Sequence, residues 1–355
     1  MPIETPARPF TVAVLGATGL IGQMMITILA ERAFPVGELR PLASRADGRT
    51  VAFSGRSWAV RQATPEAFEG VDIALFSAGA GASRTFAPEA AARGALVVDN
   101  SSQWRMDPAI PLVVPEVNPE DAALHEGIIA NPNCSTMQLV PVLMALRDSV
   151  GLVRVIVDTY QSVSGTGGKA VAELEAQIAA HVAGTPPEAH VYPHPIAFNA
   201  LPEIDVFRDD GYTREEWKVI VESRKILHMP DLAISCTAVR VPVFDAHSEA
   251  VHVETVDPID PATARALFAR TPGVVVVDDP QTHAYPIATD AAGYDEIFVG
   301  RVRQDVSLSD GQGLAFWVVS DNRRKGAATN AVQIAELVVE RGWLEPASRR
   351  LARAS

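Results

Sequence analysis

Phe10-Thr11-Val12-Ala13-Val14-Leu15-Gly16-Ala17-Thr18-Gly19-Leu20-Ile21-Gly22 decides the fold class of this chain. Its first six residues make a short, mostly apolar run that suits a buried parallel strand. The glycines then fall as G-x-x-G-x-x-G, and a helix-forming run continues to about Arg32. Strand, glycine turn and helix in that order let the backbone turn tightly and approach a pyrophosphate at the helix N-terminus. A plain strand-helix turn would show the same glycines, so their meaning depends on what surrounds them. Further candidate strands at 39–43, 73–77 and 96–99 alternate with helical segments, one of them 86–93 and closed by Gly94. That alternation predicts a doubly wound, right-handed parallel sheet of Rossmann type within an α/β chain.

The texture changes near Cys134. Runs at 153–160, 233–243, 250–256, 273–277, 297–303 and 314–319 read as longer strands with few helices between them. They predict a second, α+β domain built on a mixed, largely antiparallel sheet. We expect domains of 8–134, completed by a C-terminal helix at about 326–345, and 135–325. At 355 residues and 48% hydrophobic, the chain has ample material for two cores. A net charge of −13 with no basic block argues against a nucleic-acid surface. Two cysteines do not make a disulfide scaffold, which points to the reducing cytoplasm. The first ten residues hold no signal-peptide core, and no segment offers the roughly 18 uninterrupted apolar residues a membrane helix needs.

Asn131-Pro132-Asn133-Cys134-Ser135-Thr136 puts a thiol at the mouth of a helix read from Met137 to about Arg147. Unpaired backbone N–H groups and the helix dipole favour thiolate there, and thiolate is the nucleophile. A small buried hydrophobe is the other reading, because that is what free cysteines usually are. Cys236, inside an apolar run, is plainly of that second kind. Pro141 falls within the helix and should kink it beyond the first turn.

About 20 positions past the glycines, where an NAD site keeps an acidic residue, the chain reads Leu42-Ala43-Ser44-Arg45. A hydroxyl and a guanidinium at a strand end suit a 2′-phosphate, hence NADP(H). A thiol nucleophile beside a nicotinamide points to acyl reduction or aldehyde oxidation through a thioester. His247, read in a turn between two strands, is a candidate proton carrier, although the position alone describes a surface histidine. No metal ligands are assigned.

Several separated motifs together resemble the aspartate-semialdehyde dehydrogenase family. They are Gly16–Gly22, Asp99–Pro108, Val113–Asn118, Asn131–Thr136, Tyr160–Gly165, Ile204-Asp205, Glu216–Lys218, Arg240–Val243 and His247–Ala250, and they span nearly the whole chain. The resemblance implies reductive dephosphorylation of L-aspartyl 4-phosphate to L-aspartate 4-semialdehyde with NADPH, toward lysine, threonine and methionine. It implies Cys134 as nucleophile, His247 as acid/base, and Gln161 as the residue orienting substrate and covalent intermediate. Arg105 would bind phosphate with Asn133 and Lys225, while Arg240 would grip the substrate carboxylate and Glu222 its amino group. Gly16, Thr18, Gly19, Leu20, Ile21, Gly22, Ser44, Arg45, Ser164, Gly165 and Asn322 would touch the cofactor. A cytoplasmic homodimer through the second, catalytic domain is also implied, with the small-molecule substrate and inorganic phosphate as its other partners.

The residues support these transfers unequally. Arg240 alternates with Val239 and Val241, so it faces away from an apolar layer and needs a partner. Arg105 lies just past a strand's carboxyl end, where open α/β sheets collect ligands. Thr213 and Glu216 form a capping box, and the helix after it places Lys218, Glu222 and Lys225 on one face. Read from spacing alone, that face is a solvated ion-pair stripe. N-acetyl-glutamyl-phosphate reductases share this logic, but Asn133-Cys134-Ser135-Thr136 departs from their Gly-Cys-Tyr-Pro motif. A short-chain dehydrogenase needs a lysine four residues after its tyrosine, and no tyrosine here has one. A non-catalytic NADP sensor would be favoured by loss of the thiol or histidine, and both are present.

Overall fold

The strand-glycine-helix opening grows into one of two units. One ends at Asn133 and resumes from Ala327, and the other is Cys134–Gly326. The computed structural model describes residues 8–354. The reading that the N-terminus lacks a signal-peptide core falls largely on residues 1–7, outside the described residues.

In the first unit the strands are β1 (Phe10–Leu15), β2 (Val36–Ala43), β3 (Thr50–Phe53), β4 (Arg56–Ala59), β5 (Arg61–Gln62), β6 (Ile73–Phe76), β7 (Leu96–Asp99) and β8 (Ile128–Ala130). Six of them form a sheet in the order β5-β2-β1-β6-β7-β8, parallel at every junction. The order in which strands are added reverses between β1 and β6, which makes that crevice the topological switch point. Helices α1 (Leu20–Glu31) and α2 (Ala80–Ala92) follow β1 and β6. Along β1, Val12 and Val14 pack with Ala331, Ala335 and Val338 of the helix Asn330–Glu340. Ala13 and Leu15 point to the other face, among Phe68, Ala87 and Ala90. Helices on both faces are what a parallel sheet requires.

Three features differ from the sequence reading. Helix α2 starts at Ala80, six residues before Phe86, because buried Ser83, Ala87 and Ala90 hold it against the sheet despite a weak start at Ala80-Gly81. β3 and β4 form an antiparallel hairpin turning through Ser54 (φ 48°) and Gly55 (φ 73°). Both turn residues have positive φ, as a tight hairpin demands. β8 is only three residues long, too short for a periodicity signal.

The second unit contains β9 (Leu152–Gln161), β10 (Ala233–Arg240), β11 (His247–Thr255), β12 (Val274–Val276), β13 (Ile297–Gln304) and β14 (Gly313–Ser320). Their order is β10-β9-β11-β14-β13-β12, with parallel pairs at the two ends and antiparallel pairs between them. The sheet is mixed. Helices α3 (Cys134–Val150), α4 (Gly168–Val182), α5 (Arg214–Ile226) and α6 (Pro261–Phe268) accompany it. β10 stops at Arg240, short of the expected Val243, because Pro242 has no N–H for a ladder. Helix α3 begins at Cys134 itself and runs through Pro141 to Val150.

Two expectations are corrected. His247 is no surface turn residue: it is the first residue of β11 and is fully buried. Antiparallel pairing with Ser320 draws it into the ladder. The Lys218–Glu222–Lys225 face is not a solvated stripe, since Glu222 is buried. Lys218 instead pairs with Asp205 and Glu215. Among the described residues, no helix is long and apolar enough to cross a membrane.

Candidate active site

Backbone shape comes first at the switch point. Gly16 has φ +88°, and a Cβ there would lie 2.9 Å from the backbone of Ser77 on the neighbouring β6 loop. A Cβ on Gly22 would lie 2.1 Å from the Gly16 carbonyl oxygen. Gly19 is the N-cap of α1 and supplies no side chain to close it. The first-turn N–H groups of α1 therefore face a cradle that only glycines permit. That is the arrangement a pyrophosphate needs. Thr18, Leu20 and Ile21 line the same turn and are half-buried, while Ser44 and Arg45 are exposed just past the end of β2, the strand beside β1. Dinucleotide binding fits these residues.

Beyond β7 the chain is tied into a rigid loop. Asp99 accepts from the Ser101 hydroxyl at 2.6 Å, and the Trp104 indole donates to Ser83 Oγ at 2.8 Å. Burial raises the Asp99 pKa, against the opposing hydrogen bonds of Ser101 and Ser83. Arg105 is buried and donates to the Asn100 carbonyl at 3.0 Å. Asn131 donates to Asn100 Oδ1 and accepts from Asn330, both at 2.7 Å. Those bonds fix the strand end from which buried Asn133 extends.

In the second unit Cys134 opens α3 and is partly exposed, whereas Cys236 is buried. Burial pushes the Cys236 thiol well above its usual pKa, reinforced by Glu249, so its thiolate is suppressed. A Cβ on Gly326 would lie 3.1 Å from Cys134 Cβ, so glycine there leaves the nucleophile room.

Gln161, the last residue of β9, is buried and directs Nε2 to Ser135 Oγ (2.9 Å) and Glu215 Oε1 (3.2 Å). His247 Nδ1 accepts from the Ser162 backbone N–H at 3.1 Å. In the neutral ring the hydrogen therefore sits on Nε2. His247 Nε2 is buried and has no hydrogen-bond partner among the described residues. Burial lowers the His247 pKa to about 3, helped by the charge of Arg240 and opposed by Glu215.

Arg240 is buried at the end of β10 and donates to the Ser162 carbonyl at 2.6 Å. A Cβ on Gly165 would lie 3.1 Å from Arg240 Nη1 and 3.2 Å from His247 Nε2. The glycine thus lets a backbone turn close over both. Asn322 Oδ1 accepts from Ser162 Oγ (3.0 Å), Ser164 Oγ (3.3 Å) and Ala246 N (3.0 Å). That amide pins the residues flanking His247 and Gln161. Glu222 is buried and Lys225 half-buried, on α5. The second unit thus brings together Gln161, His247, Arg240, Ser164, Gly165 and Asn322. Gly16–Gly22, Ser44, Arg45, Arg105 and Asn133 belong to the first.

Sequence reasoning missed Ser162, Ser135, Gly326 and Glu215. The first two sit inside quoted motifs and become visible only through their partners. Glu215 had a signal: it shares a face of α5 with Val219, Glu222 and Ile226, all buried, so a carboxylate interrupts an apolar stripe.

Family models for semialdehyde dehydrogenases match both units. The NAD binding domain matches residues 11–125 and the dimerisation domain residues 143–325. An aspartate-semialdehyde dehydrogenase of Aquifex aeolicus is 52% identical, covering 94% of this chain and 99% of that protein. One from Legionella pneumophila is 51% identical, covering 94% and 96%. The crystal structure of aspartate semialdehyde dehydrogenase II complexed with ASA, from Vibrio cholerae, superposes with a TM-score of 0.91 at 47% identity. It covers 94% of this chain and 99% of that one.

Proposed function

The chain belongs to the aspartate-semialdehyde dehydrogenase family, and from that premise we propose a reaction and a division of roles. It reduces L-aspartyl 4-phosphate to L-aspartate 4-semialdehyde with NADPH, reversibly, in the biosynthesis of lysine, threonine and methionine. The observation that carries the reading is a partly exposed thiol opening α3, in the same unit as a buried, neutral His247 and a buried Gln161.

The Cys134 thiolate attacks the acyl-phosphate carbonyl, the bond to the phosphate oxygen breaks, and a thioester remains on the enzyme. NADPH, held by the glycine cradle, would supply the hydride that reduces that acyl group. His247 offers Nε2–H to the oxygen of the tetrahedral adduct and takes that proton back as the carbonyl forms and the carbon–sulfur bond breaks, releasing the Cys134 thiolate. Gln161 orients the acyl group. Arg105, with Asn133 and Lys225, holds phosphate, and Arg240 holds the substrate carboxylate through a planar fork that lysine lacks. Glu222 meets the amino group. The glycine cradle with Thr18, Leu20 and Ile21 takes the pyrophosphate, and exposed Ser44 and Arg45 take the 2′-phosphate. Ser164, Gly165 and Asn322 border the nicotinamide end. The protein works as a homodimer in the cytoplasm, where both thiols stay reduced.

The test follows cofactor reduction with L-aspartate 4-semialdehyde and inorganic phosphate, comparing NADP⁺ with NAD⁺. Turnover should require phosphate and prefer NADP⁺. Cys134→Ala should lose about 10³-fold or more of kcat while still binding NADPH, because no other group supplies the covalent step. Cys236→Ala should stay active. Mass spectrometry without phosphate should find an aspartyl adduct on the peptide bearing Cys134. Full turnover by Cys134→Ala would overturn the mechanism, and equal kcat/KM for the two cofactors would overturn the 2′-phosphate assignment.

A further inference from the structure

The Gln161 side chain makes its hydrogen bonds through Nε2. Its acceptors are Ser135 Oγ at 2.9 Å, Glu215 Oε1 at 3.2 Å and Thr159 Oγ1 at 3.4 Å. Two of these are hydroxyls, which can accept or donate and so would tolerate either end of the amide. Glu215 is different. Its carboxylate can only accept, and it sits between a cation and the positive end of a helix. Lys218 Nζ lies 3.1 Å from Glu215 Oε2 and 2.8 Å from Asp205 Oδ2. Glu215 and Asp205 raise the Lys218 pKa, outweighing the desolvation that would lower it, so the ammonium persists. Glu215 also lies in the first turn of α5, behind an intact Thr213/Glu216 capping box, where the helix dipole favours negative charge.

We propose that Glu215 is a positioning residue for the acyl chemistry: its carboxylate fixes the Gln161 amide with the NH₂ group turned toward α5 and Ser135, leaving the amide oxygen to accept from the hydroxyl of the reduced acyl adduct. Lys218 and Asp205 hold the carboxylate in place. Ser135 adjoins Cys134 in the first turn of α3, so the Gln161 amide links β9, α5 and the turn that carries the nucleophile. A neutral amide at position 215 could offer Gln161 either a donor or an acceptor, and the orientation would no longer be unique. The proposal rests on the reading of Gln161 as the group that orients the acyl substrate.

The test compares Gln161→Ala, Glu215→Gln, their double variant and the parent, measuring kcat, the KM values for semialdehyde and phosphate, and NADPH affinity by fluorescence. Glu215→Gln should lower kcat about 10- to 100-fold, the scale of a misplaced catalytic contact, with NADPH affinity changed no more than about twofold. The double variant should be no slower than Gln161→Ala alone, because Glu215 acts through Gln161. Lys218→Met, farther out and partly exposed, should lower kcat in the same direction by several-fold, and serves if Glu215→Gln fails to fold. Parent-like kcat in Glu215→Gln beside a crippled Gln161→Ala overturns this proposal alone, as do losses that multiply in the double variant. Full turnover by Gln161→Ala overturns the parent reading of Gln161, and this proposal with it.

Discussion

Two residues of β11, two positions apart, carry opposite pH signatures. Burial, with the Arg240 charge, lowers the His247 pKa from 6.5 to about 3. Burial raises that of Glu249 from 4.5 to about 8, against the pull of the Gln138 amide. As pH falls from 6.5 toward 3, the unfolded chain protonates His247 while the folded chain does not, so stability declines on the acid side. As pH rises from 4.5 toward 8, the unfolded chain releases the Glu249 proton while the folded chain keeps it, so stability declines on the alkaline side. Each effect has a slope of at most about 1.4 kcal/mol per pH unit. Glu249→Gln keeps the shape and removes the titration. Its melting temperature relative to the parent should therefore climb steadily between pH 5 and pH 8. Parallel melting curves for the two proteins across that range would rule out ionisation of Glu249 as the cause.

At the scale of elements, α1 is held by contact rather than by a cap. With Gly22 pressed to the Gly16 carbonyl, a methyl group at 22 must lift α1 off the β1 turn and widen the phosphate cradle. Gly22→Ala should weaken NADPH binding at least about tenfold, since the first-turn N–H contacts are lost together. Gly81→Ala is the matched control: a Cβ there meets nothing within 4 Å, and the change should gain about 0.5–1 kcal/mol of helix stability. Unaltered NADPH affinity in Gly22→Ala would count against the cradle. The same contrast explains what the sequence could reveal. β1, β6 and β7 were legible because buried parallel strands leave continuous apolar runs, and the Cys134 turn because its motif is local. The start of α2, the β3–β4 hairpin, β8 and the burial of Glu215, Glu222 and His247 were not. Each is decided by packing against residues far away in sequence, which propensity and spacing do not register.

At the scale of the whole molecule, the two faces of the second unit's sheet carry different residues, and the short helix Ala288–Ala291 packs beside Val319, Phe298 and Trp317. Val251, Val253 and Val318 are buried, while alternation turns Ala250 and Trp317, paired across β11 and β14, toward the opposite face. There Tyr160 packs at a 42° tilt against Trp317, ring centroids 5.4 Å apart, and remains 38% exposed. Tyr285 and Ile287, both 41% exposed, border the same surface. A partly exposed aromatic and aliphatic patch rimmed by Arg301 and Arg303 has the character of an association surface. A second copy is the natural occupant, because a two-fold axis buries the same patch twice. A stable pairing of this kind needs about 800 Å² per partner, so a charge at its centre should be decisive. Trp317→Glu and Ile287→Glu should each shift the sedimentation coefficient toward the monomer at micromolar concentration, with far-UV circular dichroism unchanged. A dimer that survives both substitutions would have to be built on another surface.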